Sequence, residues 1–162
     1  MYRVGILTAS DKGAAGERED LSAGAIREII TGLGWSVAVY RVVPDDLDVI
    51  TGALVEMVDR DGLDLVLTTG GTGFSPRDNT PEATRAAIEK EVPGIPEVMR
   101  AVSLQKTTRA MLSRAVSGIR KRTLIINLPG SQKAVRECLG AIIDSLPHGL
   151  EILSGKGGEC GS

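Results

Sequence analysis

The sequence predicts an α/β fold, a three-layer, mostly parallel sheet with helices on both faces. Two observations carry this prediction. Runs rich in β-branched and apolar residues alternate with stretches of helical apolar period, the pattern of successive βαβ units. The run LDLVLTT at 63–69 is apolar almost throughout, as a central strand covered on both faces requires.

RVGILTAS (3–10) is the first predicted strand, and DKGAAGERED reads as a polar, glycine-bearing loop. A helix follows from about Leu21 to Leu33, closed by the Gly34 stop signal. WSVAVYRVV (35–43) is the second strand. After Pro44-Asp45-Asp46, Leu47, Ile50, Leu54 and Val58 repeat at helical spacing as far as Asp61-Gly62. The third strand ends at TTGGTG, and Thr80-Pro81-Glu82 is a helix start: threonine to cap, proline at the first position, glutamate at the positive end of the dipole. That helix is predicted to reach Lys90. Pro93, Gly94 and Pro96 interrupt the chain before a second helical stretch, PEVMRAVSLQK, and a looser segment, MLSRAVSGIRK. TLIINL (123–128) is the last strand, and 131–153 is helical with a break near Pro147.

The 162 residues are expected to form one domain, with no internal repeat. Cys138 and Cys160 lie far apart and form neither a C-x-x-C pair nor a disulfide framework, so Cys138 is expected in the core and Cys160 is read as incidental. No basic-apolar leader and no membrane-length apolar run is present, so a cytoplasmic location is expected. A net charge of −2 and an aromatic set of Trp35, Phe74 and two tyrosines argue against nucleic-acid and membrane partners. One segment departs from this balance: from Arg100 to Arg122 there are seven basic residues and no acid, either a solvated face or a surface turned to a phosphorylated ligand.

In a parallel sheet the loops after the C-terminal strand ends share one rim, and ligands bind there. Four loops qualify: Ser10-Asp11, Pro44-Asp45-Asp46, Thr69 to Thr80, and Pro129-Gly130-Ser131. Gly70, Gly71 and Gly73 allow close backbone approach, so their amides can converge on an anion, with Thr69 and Thr72 as further donors; a tight turn would also use them. The loop lacks the lysine of a Walker motif. Gly130 and Ser131 open a helix, where phosphate is attracted and where serine also serves as a cap. Asp45 and Asp78 fall on the same rim; such a pair beside phosphate-binding loops suits a hard cation such as Mg²⁺, although Asp45 or Asp46 could instead cap the following helix. With His148 as the only histidine, lying off the rim, the chemistry left is that of carboxylates, amides, hydroxyls and basic groups, which suits phosphoryl or nucleotidyl transfer.

Across almost its whole length the sequence resembles the molybdopterin adenylyltransferases, and also the G domain of gephyrin-type molybdenum-insertion proteins. The resemblance rests on Ser10-Asp11 with Gly16 and Asp20 to Gly24, on Val43-Pro44-Asp45, on TTGGTG (68–73) with Arg77-Asp78 and Thr80-Pro81, on MLSRAVSG (111–118), and on NLPGS (127–131). Asn79 departs from it, standing where relatives more often have an apolar residue. The resemblance implies the fold of molybdenum cofactor biosynthesis proteins and transfer of AMP from ATP to the terminal phosphate of molybdopterin, with Mg²⁺ as cofactor. Asp45 and Asp78 are then the catalytic and metal-organising acids. Ser10, Asp11, Thr69, Gly70, Gly71, Thr72, Gly73, Ser113, Arg114, Pro129, Gly130 and Ser131 bind nucleotide or pterin. A homotrimer is also implied, with the metal-insertion protein of the pathway as a further partner. The rival expectation is a molybdopterin carrier without catalysis.

Overall fold

The computed structural model describes residues 1–156; Cys160 lies outside them. Six strands form one sheet in the order β2-β1-β3-β6-β5-β4. They are β1 (Arg3–Ala9), β2 (Ser36–Val43), β3 (Leu65–Thr69), β4 (Lys90–Glu91), β5 (Ser117–Arg120) and β6 (Thr123–Leu128). β1, β2, β3 and β6 run parallel, while β5 and β4 continue the sheet antiparallel at one edge. The helices are α1 (Asp11–Ala14), α2 (Leu21–Gly32), α3 (Leu47–Asp59), α4 (Thr80–Ala87), α5 (Gly94–Leu104), α6 (Gln132–Ile142) and α7 (Leu146–Leu153).

Side-chain alternation divides the core into two layers. Val4 and Ile6 of β1, Leu65 and Leu67 of β3, and Leu124, Ile126 and Leu128 of β6 pack against α2, α5, α6 and α7. Leu7, Ala9, Val66 and Ile125 face the other way, onto α3 and α4. Gly5 belongs to that second face, where a β-carbon would stand 2.5 Å from Leu63 and 2.7 Å from Met57. The predicted three-layer architecture therefore stands. Cys138 is buried, as expected, and no helix among the described residues is long and apolar enough to cross a membrane.

Four local expectations are corrected. The loop after β1 contains the short helix α1, because the Ser10 hydroxyl accepts from the Gly13 amide and starts a turn. α4 stops at Ala87, and Lys90–Glu91 pairs with β5; the second half of the looser segment is that strand, recruited by β6. Thr80 is not the cap of α4: it is the first helical residue, and its hydroxyl is buried without a hydrogen-bond partner. The late helical break falls at a 3₁₀ turn, Ile143–Ser145, and Pro147 lies in the first turn of α7, where proline is tolerated.

Candidate active site

The C-terminal ends of β1, β2, β3 and β6 meet at one rim, held by contacts that leave no room for side chains. Gly70 follows β3 with φ +90°, and a β-carbon there would lie 2.4 Å from the Ala9 carbonyl oxygen. Gly71 has φ +71°, and its β-carbon would lie 2.4 Å from the Thr80 hydroxyl. Only glycine satisfies both demands. Gly130 packs on Gly70 from the β6 side, and the Thr69 hydroxyl donates to the Pro129 carbonyl at 2.6 Å.

These loops border a cavity of about 600 Å³. Ser10, Asp45, Thr69, Gly70, Gly71, Asp78, Gly130 and Ser131 line it, so residues from all four predicted loops come together. Thr72, Gly73, Ser113 and Pro129 instead line a second cavity of about 290 Å³ that also meets Arg100 and Arg109. Of the basic segment, only that part turns to a cavity; Arg120 and Lys121 pair with Asp59, and Lys106 with Glu137.

Asp45 and Asp78 reach the cavity by different routes. Asp46, not Asp45, caps α3 by accepting from the Val49 amide, which frees Asp45 for the rim. Asp45 Oδ2 accepts from the Asp11 amide at 3.0 Å, and Asp11 Oδ1 accepts from the Asp45 amide at 3.0 Å. Asp45 Oδ1 is left buried with no partner. Burial pushes the Asp45 carboxyl up from the usual range, and the nearby Asp11 and Asp78 charges add to the rise against the opposing bond from the Asp11 amide. Asp78 closes its own turn: its amide donates to the Ser75 carbonyl, and its Oδ2 accepts from the Ser75 amide at 3.0 Å. Asn79, the departure from the family pattern, donates to the Asp45 carbonyl at 3.2 Å and so ties the two acid-bearing loops together.

Two predicted binding residues are engaged within the protein. The Arg114 guanidinium donates to Gly73 O at 2.7 Å, to Asp78 O at 2.9 Å and to both carboxylate oxygens of Glu82, so it straps the glycine loop. Asp11 takes a two-point contact from Arg77, Nε to Oδ2 at 3.0 Å and Nη2 to Oδ1 at 2.8 Å. This pairing holds the Asp11 carboxyl below the usual range.

Two further residues, present in the quoted motifs, were given no role by sequence reasoning. Asp20 lines the large cavity and caps α2; its carboxylate accepts from the Thr8 hydroxyl at 2.6 Å, from the Ala23 amide and from the Tyr40 hydroxyl. Burial first, and Asp20 second, push Tyr40 up to about 12, so it remains a proton donor to Asp20. An aspartate directly before a helical period is a cap signal that could have found Asp20. Asn127, fully buried in β6, donates to the Thr68 and Thr84 hydroxyls at 3.0 and 2.8 Å and accepts from the Val116 amide. A lone amide inside the apolar run TLIINL was its signal.

Fold and rim together define an α/β protein whose rim cavity is lined by glycine main chain and a pair of acids. Residues 5–148 match the family described as "Probable molybdopterin binding domain". The chain is 44% identical over 155 residues to the molybdopterin adenylyltransferase of Helicobacter pylori strain J99, covering 94% of this chain and 88% of that protein. It is 42% identical to gephyrin of Dictyostelium discoideum over 94% of this chain but 23% of gephyrin. The solved molybdopterin biosynthesis enzyme MoaB of Thermus thermophilus superposes with a TM-score of 0.91 at 56% identity, covering 96% of this chain and 98% of that one. The protein belongs to this molybdopterin-binding family of molybdenum cofactor biosynthesis.

Proposed function

We propose that the protein is a molybdopterin adenylyltransferase, transferring AMP from ATP to the terminal phosphate of molybdopterin. An oxygen of that phosphate forms a bond to the α-phosphorus of ATP, the bond from that phosphorus to the bridging oxygen breaks, and pyrophosphate leaves with the electron pair. The carrying observation is the convergence, in one cavity, of Asp45 and Asp78 with Gly70, Gly71 and the start of α6. The names of the relatives support the same reaction.

The residues present suit magnesium. No cluster of three or more His, Cys, Asp or Glu poised for a metal exists among the described residues, but magnesium is ordinarily held by one or two carboxylates together with water and substrate phosphates. The unpartnered buried Asp45 Oδ1 is the kind of atom such an ion satisfies, and Asp78 lines the same cavity. Bound there, magnesium would offset phosphate charge as the α-phosphorus is attacked.

The chain's own residues do the rest. Gly70 and Gly71 bring main chain close to the ligand, at φ values that let neighbouring amides converge on an anion. The start of α6, with Ser131 as cap, adds the positive end of a helix dipole on the same side of the cavity. Ser113 and the arginines of the second cavity extend this surface for the remainder of the substrates. We place the protein in the cytoplasm as a single-domain homotrimer that passes its product to a metal-insertion protein.

Incubation with molybdopterin and Mg-ATP is expected to yield adenylylated molybdopterin and pyrophosphate, with Asp78→Ala as the control. No adenylylated product from the wild type would sink the assignment. Calorimetric binding of molybdopterin with no dependence on Mg-ATP would favour the carrier instead.

A further inference from the structure

Asp11 follows β1 at the rim, yet it does not line the large cavity. Its carboxylate is 44% exposed and is held by Arg77, itself 58% exposed. Every contact it makes leads to one of the two acids. Its Oδ1 accepts from the Asp45 amide while its own amide donates to Asp45 Oδ2, a closed reciprocal pair. That pair engages one oxygen of Asp45 and fixes the rotation of the carboxylate, leaving Oδ1 buried beside Gly71 of the cavity wall. The other contact runs to Arg77, the residue immediately before Asp78, in the turn closed by the Ser75–Asp78 bonds.

We propose that Asp11 is a positioning residue: from outside the cavity, its carboxylate orients Asp45 directly and registers Asp78 through Arg77. This rests on the adenylyl transfer proposed above. Exposed ion pairs contribute little to stability, so the Asp11–Arg77 contact is not needed to hold the fold. Placement of reacting groups is far more sensitive, a displacement of about 1 Å costing on the order of 10²-fold in rate. The arrangement therefore matters for geometry rather than for folding. It also separates Asp11 from a ligand contact, whose loss would weaken binding.

Kinetics of Asp11→Ala and Asp11→Asn, with urea unfolding of both and a crystal structure of Asp11→Ala, form the test. In the alanine variant kcat is expected to fall roughly 10- to 100-fold. KM for ATP and molybdopterin should stay within about threefold, and the unfolding midpoint should change little. Asp11→Asn keeps a carbonyl acceptor for the Asp45 amide and should recover part of kcat. In the crystal, the Asp45 carboxylate should turn and the 75–79 turn should shift while the sheet superposes. A rise in KM at unchanged kcat would make Asp11 a ligand contact, and activity lost only in proportion to stability would make it structural; either overturns the proposal. Unmoved Asp45 and Asp78 in the crystal overturn it even if the wild type forms no product, whereas absence of wild-type product alone overturns the function proposed above.

Discussion

Two aspartates at opposite ends of the sheet show how the same side chain is put to different use. Asp59, at the end of α3, takes Arg120 through both oxygens at 3.0 and 2.8 Å and Lys121 at 3.1 Å. The Arg120 bonds first, then Lys121, hold it down at about 2. Asp45, at the rim, has no basic partner in contact and one oxygen with no partner at all, and burial pushes it up. Asp59 is answered fully within the chain, while at the rim Asp45 Oδ1 and the Thr80 hydroxyl are buried without a partner, as Asp61 Oδ2 and Ser117 Oγ also are elsewhere. An unsatisfied buried group costs stability, and of these four only Asp45 borders the large cavity, where the function proposed above gives its free oxygen a partner.

The largest effect expected from breaking this contrast is on turnover. Asp45→Ala and Asp78→Ala should each lower kcat by about 10²-fold or more, with much smaller effects on molybdopterin binding, measured by product formation beside calorimetry. Equal losses of binding and turnover would contradict an acid role. Gly70→Ala forces a β-carbon against the Ala9 carbonyl at positive φ. It should cost at least about 1–3 kcal/mol in urea unfolding and abolish the site's geometry.

Thr80→Val sharpens the comparison because it removes an unanswered hydroxyl without changing shape. Stability should rise by about 1 kcal/mol while turnover falls; a fall in stability would show that the hydroxyl is satisfied. The smallest effects are in pH dependence, and their signs oppose. Asp59 has a depressed value, so its contribution is present above the ordinary 3.8 and is lost as pH falls through about 2. Asp59→Asn should therefore lower Tm at pH 7, with the gap closing towards pH 2. Asp45 has a raised value, so its ionisation opposes folding at neutral pH and ceases to do so below 3.8. Asp45→Asn should raise Tm at pH 7, with the gap closing in acid. Thermal unfolding of both variants across this range checks the pair.

Much of the rim was legible because parallel strands leave little freedom: once 3–10, 35–43, 63–69 and 123–128 are strands, their following loops must meet. Asp45, Asp78, Gly70, Gly71, Gly130 and Ser131 line one cavity for that reason. The short edge strands were not legible. Lys90–Glu91 has no apolar alternation of its own and becomes a strand only because β5 offers a free edge. The destinations of long charged side chains were equally hidden. Arg114 sits in the MLSRAVSG motif that carries the family resemblance, yet its guanidinium goes to Glu82 and to the carbonyls of Gly73 and Asp78.

What the sequence determined by itself is the set of elements, the rim on which they place their loops and the chemical types available there, since periodicity, glycine and proline act locally. What only tertiary structure decided is which of those groups is satisfied. Asp46 rather than Asp45 caps α3, Asp11 turns to Arg77, and Thr80 is left without a partner. Those outcomes depend on residues distant in sequence competing for the same few hydrogen bonds, and that competition is settled only when the strands are brought side by side.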